Sequence, residues 1–193
     1  TATGGEEVSL EKILDAESVA IVGASKTETK RGFQALRTLL DEKIQGKIYP
    51  VNPKEKSILG IKCYKNVSDI EGSIDIALIT TPAKTIPGIL EDCGKKEVKG
   101  VVVIAGGFGE LGKEGRKLED ETVAVARKHK IRLIGPNTSG MMNLKGNLNL
   151  VGLRDAPKGD IALLSQSGNM ALTLITEAKI KSRKGFSYYV GVG

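Results

Sequence analysis

The stretch SVAIVGASKTETKRGFQAL, from Ser18 to Leu36, decides the fold of this 193-residue chain. It opens with an apolar run of strand length, turns at Gly23 and continues into a segment with helical spacing of apolar residues. A dinucleotide fingerprint has the pattern G-x-G-x-x-G at such a turn. Here Gly23 is followed by no further glycine before Gly32, so the turn predicts a strand and a helix but leaves the ligand open.

The same alternation of strand and helix continues along the chain. Continuous apolar runs, typical of strands covered on both faces, are SVAIVG, GKIYPVN, IDIALIT, KGVVVIA and IRLIGPN. Apolar stripes with helical spacing lie between them, at Phe33, Leu36, Leu40 and Ile44, at Ile86, Ile89, Leu90 and Cys93, and at Leu118, Thr122, Val125 and Ala126. The pattern predicts an α/β, Rossmann-like domain over residues 1–155, with a mainly parallel sheet and helices on both faces.

A second unit follows the segment NLVGLRDAPKG, which is typical of a linker. The run DIALLS predicts a strand, GFSYYVGVG predicts another, and the helix between them has one apolar face made of Ala171, Leu174, Ile175 and Ala178. One βαβ unit cannot cover both faces of its own sheet. Residues 160–193 are therefore expected to open a second α/β domain whose remainder lies outside this sequence or comes from another chain.

Composition restricts the classes of partner. The formal charge is +6, but the 29 basic residues are interleaved with 23 acidic ones and only 4% of residues are aromatic, which argues against nucleic acid and favours a small polyphosphate. No apolar run is long enough to cross a membrane and no signal-peptide core is present, so the cytoplasm is expected. Cys63 and Cys93 have no disulfide or metal-ligand spacing and are predicted to be reduced thiols, with no metal site.

The end of the second predicted strand indicates what the opening loop binds. An NAD site needs an acid there to accept hydrogen bonds from the ribose, whereas this chain has Asn52, Pro53 and Lys54. Lys54 attracts a phosphate, and Ser25 lies near a helix start, where an anion is favoured. The two positions predict a nucleotide with an extra phosphate. NADP stays open, as does a simple packing turn at Gly23.

Other predicted loops carry weaker signals. The Thr80–Pro82 step is typical either of close ligand approach or of a plain helix start. Gly106, Gly107 and Gly109 predict close approach of a ligand or a mobile cover. The segment LLSQSGNM predicts either an anion site at a helix start or an ordinary cap by Ser167. His129 closes a helix with no carboxylate in its neighbourhood of the sequence, and we expect it to be structural.

The motifs SVAIVGAS, IYPVNPK, ITTPA, AGGFGE, IGPNTSG, IALLSQSGNM and YYVGVG occur in one order along the chain. Their order and spacing resemble those of nucleoside-diphosphate-forming acyl-CoA synthetases of the ADP-forming acetyl-CoA synthetase type. They are similar, more distantly, to the α subunit of succinyl-CoA synthetase. The resemblance runs from about Leu10 to Gly193. It implies a first domain that binds coenzyme A and a second, flavodoxin-like, succinyl-CoA-ligase-like domain.

The resemblance also implies site residues at the matching positions. The expected contacts to the coenzyme A phosphates are Gly23, Ala24, Ser25 and Gly32, and the expected contacts to its nucleotide part are Asn52, Pro53 and Lys54. The third strand would contribute Thr81, Pro82 and Ala83, the pantetheine and thioester loop Gly107, Phe108 and Gly109, and the turn at the domain junction Pro136 and Asn137. A helix start that stabilises a phosphohistidine would include Ser165, Ser167 and Gly168.

The rest of the implied machinery lies outside this sequence. In the family, acid, coenzyme A and ATP are interconverted with acyl-CoA, ADP and phosphate through a phosphohistidine, which is expected beyond Gly193, so no catalytic residue is assigned here. ATP, ADP and Mg would bind through an ATP-grasp domain or subunit, and an oligomer is expected. The chain alone should bind coenzyme A or acyl-CoA without turnover. The alternatives are a CoA-sensing regulatory module fused to an acyltransferase, and an NADP-dependent oxidoreductase.

Overall fold

The computed structural model describes residues 9–181 and 184–193, so parts of both predicted domains, residues 1–8 and 182–183, lie outside the described residues. The helices are α1 (Glu11–Leu14), α2 (Arg31–Asp41), α3 (Ile86–Lys95), α4 (Lys113–Lys128) and α5 (Gly168–Ile180). The strands are β1 (Ser18–Val22), β2 (Lys47–Val51), β3 (Ser57–Ile58), β4 (Ile61–Lys62), β5 (Ile76–Ile79), β6 (Gly100–Val103), β7 (Arg132–Ile134), β8 (Met141–Asn143), β9 (Leu148–Asn149), β10 (Lys158–Ser165) and β11 (Phe186–Gly191).

The main sheet has five parallel strands in the order β2-β1-β5-β6-β7. Every residue of β1, β5 and β6 is buried, as the continuous apolar runs predict. The Rossmann-like α/β prediction is confirmed, in the doubly wound variant whose strand order reverses between β1 and β5. Since all five strands are parallel, their carboxyl ends meet at one edge of the sheet.

Helices cover both faces of this sheet. On one face α3 and α4 pack on it through residues such as Leu90, Cys93 and Ala126. On the other face α2 buries Ala35, Leu36 and Leu39. The predicted α2 stripe is shifted: Phe33 and Leu40 are only partly buried, and Ile44 lies beyond the end of the helix at Asp41.

A second sheet has the order β10-β11-β8-β9. Its β10 and β11 are parallel and connected through α5, as predicted, whereas β8 pairs antiparallel with β11 and forms a hairpin with β9. The hairpin falls within residues 1–155 of the predicted first domain, so the second sheet takes strands from both sides of the linker. One side of the hairpin joins the core of the main sheet through Met141 and Leu148, and the other joins the second core through Met142 and Leu144.

The apolar face of α5 is only partly covered. Ala171 and Ile175 are fully buried, but Leu174, predicted on the same face, is 49% exposed. Strand β10 has an apolar sequence, yet Leu164 is 70% exposed. In the part of the chain that the structure describes, β10 is an edge strand that pairs only with β11.

Two further expectations from the sequence concern the cysteines and membrane-spanning helices. Cys63 and Cys93 are free and buried, and burial raises the pKa of the Cys93 thiol to about 12. Among the described residues, no helix is both long enough and apolar enough to span a bilayer.

Candidate functional site

Gly23 lies at the point where the strand order of the main sheet reverses. Its φ is +89°, and its N–H donates to the carbonyl oxygen of Val51 at 3.0 Å. A Cβ on Gly23 would lie 2.6 Å from Oγ1 of Thr80, and that hydroxyl donates to the carbonyl oxygen of Val22 at 3.0 Å. Glycine is therefore needed here both for the left-handed backbone and for the close approach of the β5 exit.

Gly32 explains the wide gap between the two glycines. It lies in the first turn of α2 and is buried, and a Cβ on it would collide with the carbonyl oxygen of Gly23. This is the role of the last glycine in a dinucleotide fingerprint, which lets the helix pack closely on the strand. The structure thus gives Gly32 a packing role, and leaves Gly23, Ala24 and Ser25 as the loop residues nearest to where a phosphate would bind.

Asn52 joins the loops that follow β1 and β2. Its Nδ2 donates to the carbonyl oxygen of Ala24 at 2.7 Å, and its Oδ1 accepts the backbone N–H of Lys54 at 2.9 Å. Ser25 is buried, and its Oγ accepts the N–H of Thr27 at 3.0 Å. Pro53 and Lys54 are exposed. Asn52 therefore positions the loops, while Lys54 presents its ammonium group to solvent at the end of β2.

The loop after β2 carries an acid, Glu55, four residues beyond the end of the strand at Val51. Its Oε2 lies 2.6 Å from Nζ of Lys26, the residue that follows Ser25. The carboxylate is thus paired with a lysine of the opening loop. The sequence signal was the segment Asn-Pro-Lys-Glu, in which proline favours a tight turn that brings the fourth residue back towards the first.

The predicted loops after β5 and β6 contact each other. A Cβ on Gly107 would lie 3.1 Å from Cβ of Ala83. Oγ1 of Thr85 lies 2.9 Å from that of Thr81 and 2.7 Å from the carbonyl oxygen of Pro82, which fixes the turn at the β5 exit. The structure thus brings these two predicted motifs together at the carboxyl edge of the sheet.

The backbone N–H groups of the glycine loop are held by carboxylates of the loop and of α4. Glu110 accepts from the N–H of Gly107 at 2.5 Å and from that of Phe108 at 3.1 Å, and Glu119 accepts from the N–H of Gly109 at 2.9 Å. The hydrogen bond from Gly107, above all, keeps the pKa of Glu110 below its usual value. The Phe108 side chain is buried in the core next to α3 and α4. The loop is thus held by Glu110 from within and by Glu119 of α4.

The loop after β7 connects the main sheet to the second sheet. Gly135–Pro136 is a cis peptide, and the N–H of Asn137 donates to the carbonyl oxygen of Ala105 at 3.0 Å. Thr138 Oγ1 donates to the carbonyl oxygen of Gly191 at 2.6 Å. Pro136 and Asn137 therefore lie in the loop that connects the main sheet to the second sheet, next to the start of the glycine loop.

The start of α5 lies against the same loop. Ser167 Oγ accepts the N–H of Met170 at 3.3 Å, so this serine is an N-cap, and Ser165 Oγ donates to the carbonyl oxygen of Ser167 at 3.0 Å. The other N–H groups of the first turn have no intrahelical acceptor, as at any helix start. A Cβ on Gly168 would lie 2.9 Å from Cβ of Ser139, the residue whose carbonyl oxygen accepts from Arg31 Nη2 at 3.5 Å. The starts of α2 and α5 therefore both lie next to Ser139 in the loop after β7.

His129 lies away from these loops, at the amino edge of the main sheet. A carboxylate does contact it, contrary to the sequence expectation: Nε2 of His129 lies 2.6 Å from Oε2 of Glu91, and Lys128 pairs with the other oxygen at 2.7 Å. The sequence separation between α3 and α4 concealed this contact. The cluster joins two helices, which agrees with a structural role for His129.

Comparison with known proteins places these loops in a family. A family model described as CoA binding domain matches residues 17–143. The chain is 41% identical, over 95% of its length, to the α subunit of acetate–CoA ligase (ADP-forming) II of Pyrococcus furiosus, of which it covers 40%. It is 44% identical, over 98% of its length, to acetate–CoA ligase (ADP-forming) of Methanocaldococcus jannaschii, of which it covers 26%.

A solved structure gives the same result in three dimensions. Acetyl-coenzyme A synthetase 1 of Ca. Korarchaeum cryptofilum, in complex with phosphate and ADP, superposes with a TM-score of 0.91 at 38% identity, over 96% of this chain and 39% of that one. The chain thus spans well under half the length of these relatives. The matched residues include the turns after β1, β2, β5, β6 and β7, and the chain belongs to the family of CoA-binding domains.

Proposed function

We propose that this chain binds coenzyme A at the carboxyl edge of the main sheet, as the CoA-binding part of an ADP-forming acyl-CoA synthetase. The observation that carries the proposal is the position of the Gly23 turn, which lies where the strand order reverses and beside the end of β2, where Lys54 is exposed. In doubly wound sheets ligands bind at this point. The similarity to ADP-forming acetate–CoA ligases supports coenzyme A as the ligand.

Each group of loop residues has a proposed role. The backbone of Gly23, Ala24 and Ser25 faces the diphosphate, and Lys54 faces the additional phosphate on the ribose. Thr81, Pro82 and Ala83 flank the path of the pantetheine arm towards Gly107 and Gly109. Because Phe108 is buried and its N–H is held by Glu110, this residue supports the loop, and the flanking glycines are the residues that face the arm.

The remaining functions belong to the longer protein that we propose. There, Ser165, Ser167 and Gly168 at the start of α5 face a phosphohistidine carried outside this chain. An ATP-grasp domain or subunit binds ATP or ADP with Mg, and the parts assemble into an oligomer. The two unpaired thiols are compatible with a reducing compartment such as the cytoplasm.

Calorimetric titration of the purified chain with coenzyme A, dephospho-coenzyme A and NADP tests the proposal. Coenzyme A should bind more tightly than either of the others. In Lys54→Ala the affinity for coenzyme A should fall about tenfold, as expected for loss of one charged contact to a phosphate. Lys145→Ala, at the amino edge of the sheet, is the matched control and should bind as the wild type does.

Two results would contradict the proposal. Folded protein that binds no coenzyme A would exclude the ligand, and tighter binding of NADP would favour the oxidoreductase alternative. The other alternative, a CoA-sensing module, shares the binding site and differs in the domain joined to it. Sequencing the gene beyond the codon for Gly193 separates the two, since a synthetase encodes the phosphohistidine and a fused regulator encodes an acyltransferase.

A further inference from the structure

An ion pair connects the two loops that border the proposed nucleotide cleft. Nζ of Lys26, in the loop after β1, lies 2.6 Å from Oε2 of Glu55, in the loop after β2. The Lys26 side chain is 60% exposed and that of Glu55 is 26% exposed, so the carboxylate is the more buried member of the pair.

Local structure fixes the place of Glu55. The N–H of Glu55 donates to the carbonyl oxygen of Asn52 at 3.3 Å, which closes the Asn-Pro-Lys-Glu turn. Asn52 is itself bonded to the carbonyl oxygen of Ala24 at 2.7 Å, so the turn is attached to the loop that carries Lys26. Lys54 and Glu55 are thus neighbours of opposite charge in the loop after β2, and Glu55 is paired with Lys26 of the opening loop.

The Cys63 thiol lies close enough to Lys26 and Glu55 for both charges to affect its pKa. Burial is the main reason why the pKa of the Cys63 thiol is raised, and the nearby Glu55 carboxylate raises it further while the Lys26 ammonium lowers it. Both charges therefore act on one buried group, the Cys63 thiol. The charged groups that face this position, from both loops, are Lys26 and Glu55.

The charge of Glu55 matters for which ribose the cleft accepts. In a dinucleotide site of this architecture, an acid at the end of the second strand accepts hydrogen bonds from free ribose hydroxyls. The same carboxylate, if unpaired, repels a phosphate placed there, because like charges a few ångströms apart interact strongly near a protein surface. Glu55 lies in the loop that follows this strand, so its charge has to be cancelled before a phosphorylated ribose can bind well beside it.

We propose that the Lys26–Glu55 ion pair sets the selectivity of the cleft for the phosphorylated ribose of coenzyme A over the unphosphorylated ribose of dephospho-coenzyme A. Lys26 cancels the charge of Glu55, and Lys54 then provides the net positive charge that the phosphate meets. Without Lys26, the free carboxylate repels the phosphate and accepts hydrogen bonds from the hydroxyl of the dephospho form. The inference rests on the proposed function, because it concerns the ligand proposed there.

The test is a double-mutant cycle read as a ratio of affinities. Calorimetry gives the affinity for coenzyme A divided by that for dephospho-coenzyme A in the wild type, Lys26→Met, Glu55→Gln and the double variant. Lys26→Met should lower this ratio by about tenfold or more, as expected when an unpaired unit charge faces the phosphate. The double variant should recover most of the wild-type ratio, since the repelling charge is then gone, and Glu55→Gln alone should not lower it.

Two controls make the result specific. Lys26→Arg keeps the charge and should keep the wild-type ratio. Arg37→Met removes a surface ion pair of similar exposure on α2, between Arg37 and Asp41, and should leave the ratio unchanged. Thermal unfolding of every variant shows that it is folded at the temperature of the titration.

The outcomes separate the inference from the proposed function. If the wild type binds coenzyme A but Lys26→Met weakens both ligands by the same factor, Lys26 is an ordinary phosphate contact and the selectivity inference is wrong, while the proposed function stands. A double variant with a ratio as low as that of Lys26→Met would also overturn the inference. If folded wild-type protein binds neither ligand, the proposed function fails and the inference fails with it.

Discussion

At the scale of single residues, the surroundings of a glycine determine what it contributes. Gly32 and Gly88 both lie in helices, α2 and α3, and neither has a positive φ. A Cβ on Gly32 would collide with the carbonyl oxygen of Gly23, whereas a Cβ on Gly88 would meet nothing within 4 Å. Gly32 is thus required for the close packing of α2 on the β1 turn, and Gly88 is not required by packing.

This contrast predicts opposite signs for two identical substitutions. Gly32→Ala should lower the free energy of unfolding by about 2 kcal/mol or more, because backbone on both sides has to move apart. Gly88→Ala should raise it by about 0.5–1 kcal/mol, through the better helix propensity of alanine. Denaturant unfolding of both variants measures the two effects. A neutral Gly32→Ala would show that the Gly23–Gly32 contact is not a tight one.

The contribution of Glu110 to the stability of the folded chain should depend on pH. Its pKa is lowered in the folded chain, chiefly by the N–H of Gly107, from an ordinary value of 4.5. The carboxylate therefore adds stability above that ordinary value and loses it as the pH falls through the lower folded-state pKa. Because the group is exposed, Glu110→Ala should cost only about 0.5–1 kcal/mol at neutral pH.

The measurement is thermal unfolding of the wild type and Glu110→Ala between pH 7 and pH 3. The difference in melting temperature should be largest at neutral pH and should shrink on acidification below about pH 4.5. Glu114→Ala, an exposed acid in the first turn of α4, is a control for the loss of a surface charge in the same region. A difference that grows towards acid pH would contradict the assigned hydrogen bonds.

At the scale of elements, burial on both faces made the parallel strands predictable. The runs that became β1, β5 and β6 are apolar without interruption because the sheet is covered on both sides, and helices with one apolar stripe lie between them. The hairpins β3–β4 and β8–β9 were not predicted. Their strands have two or three residues each, too few to show a period, and β8 also pairs with the distant strand β11. For the same reason the sequence did not show that the second sheet begins before the linker.

The prediction of the site followed the same division. The glycine turn at Gly23 and the exposed lysine at Lys54 could be predicted from the local sequence. Contacts that side chains make between distant parts of the sequence could not be predicted in this way, and Lys26–Glu55 and His129–Glu91 are two examples. Each joins residues that are separated by one or more whole elements, so no local pattern indicates them.

Two neighbouring residues of α5 should differ in how much stability is lost when each is replaced by alanine. Ile175 is fully buried in the second core, whereas Leu174 is 49% exposed. Ile175→Ala should lower the free energy of unfolding by about 2–4 kcal/mol, and Leu174→Ala by less than about 1 kcal/mol. Equal losses for the two variants, measured by denaturant unfolding, would mean that the face of α5 carrying Leu174 is covered in solution.

At the scale of the whole molecule, the β8–β9 hairpin connects the two cores. Met141 and Leu148 pack with the main sheet, and Met142 and Leu144 pack with the second core. Tyr188 of β11 adds a hydrogen bond to Asp15 at 2.8 Å, and Asn143 of β8 adds another to the same carboxylate at 2.7 Å. The two sheets are therefore joined by packing as well as by chain connectivity.

Shared packing predicts cooperative unfolding. Differential scanning calorimetry of the chain should show one transition, and Leu148→Ala should shift that whole transition to lower temperature, by an amount that corresponds to about 2–4 kcal/mol. Ile89→Ala, which replaces a partly buried side chain on the main sheet alone, is the control and should shift it less. Two separate transitions in the wild type would show that the sheets unfold independently.

The central claim, that coenzyme A binds at the carboxyl edge of the main sheet, is tested most directly by mapping amide chemical shifts during a titration. Chemical-shift changes are expected at Gly23, Ala24, Ser25 and Lys54, with smaller ones in the glycine loop. None are expected around the cavity of about 370 Å³ at the opposite edge, which is lined by residues such as Glu17, Gln45 and Tyr188. Shifts centred on that cavity, with the Gly23 turn unchanged, would exclude binding at the carboxyl edge.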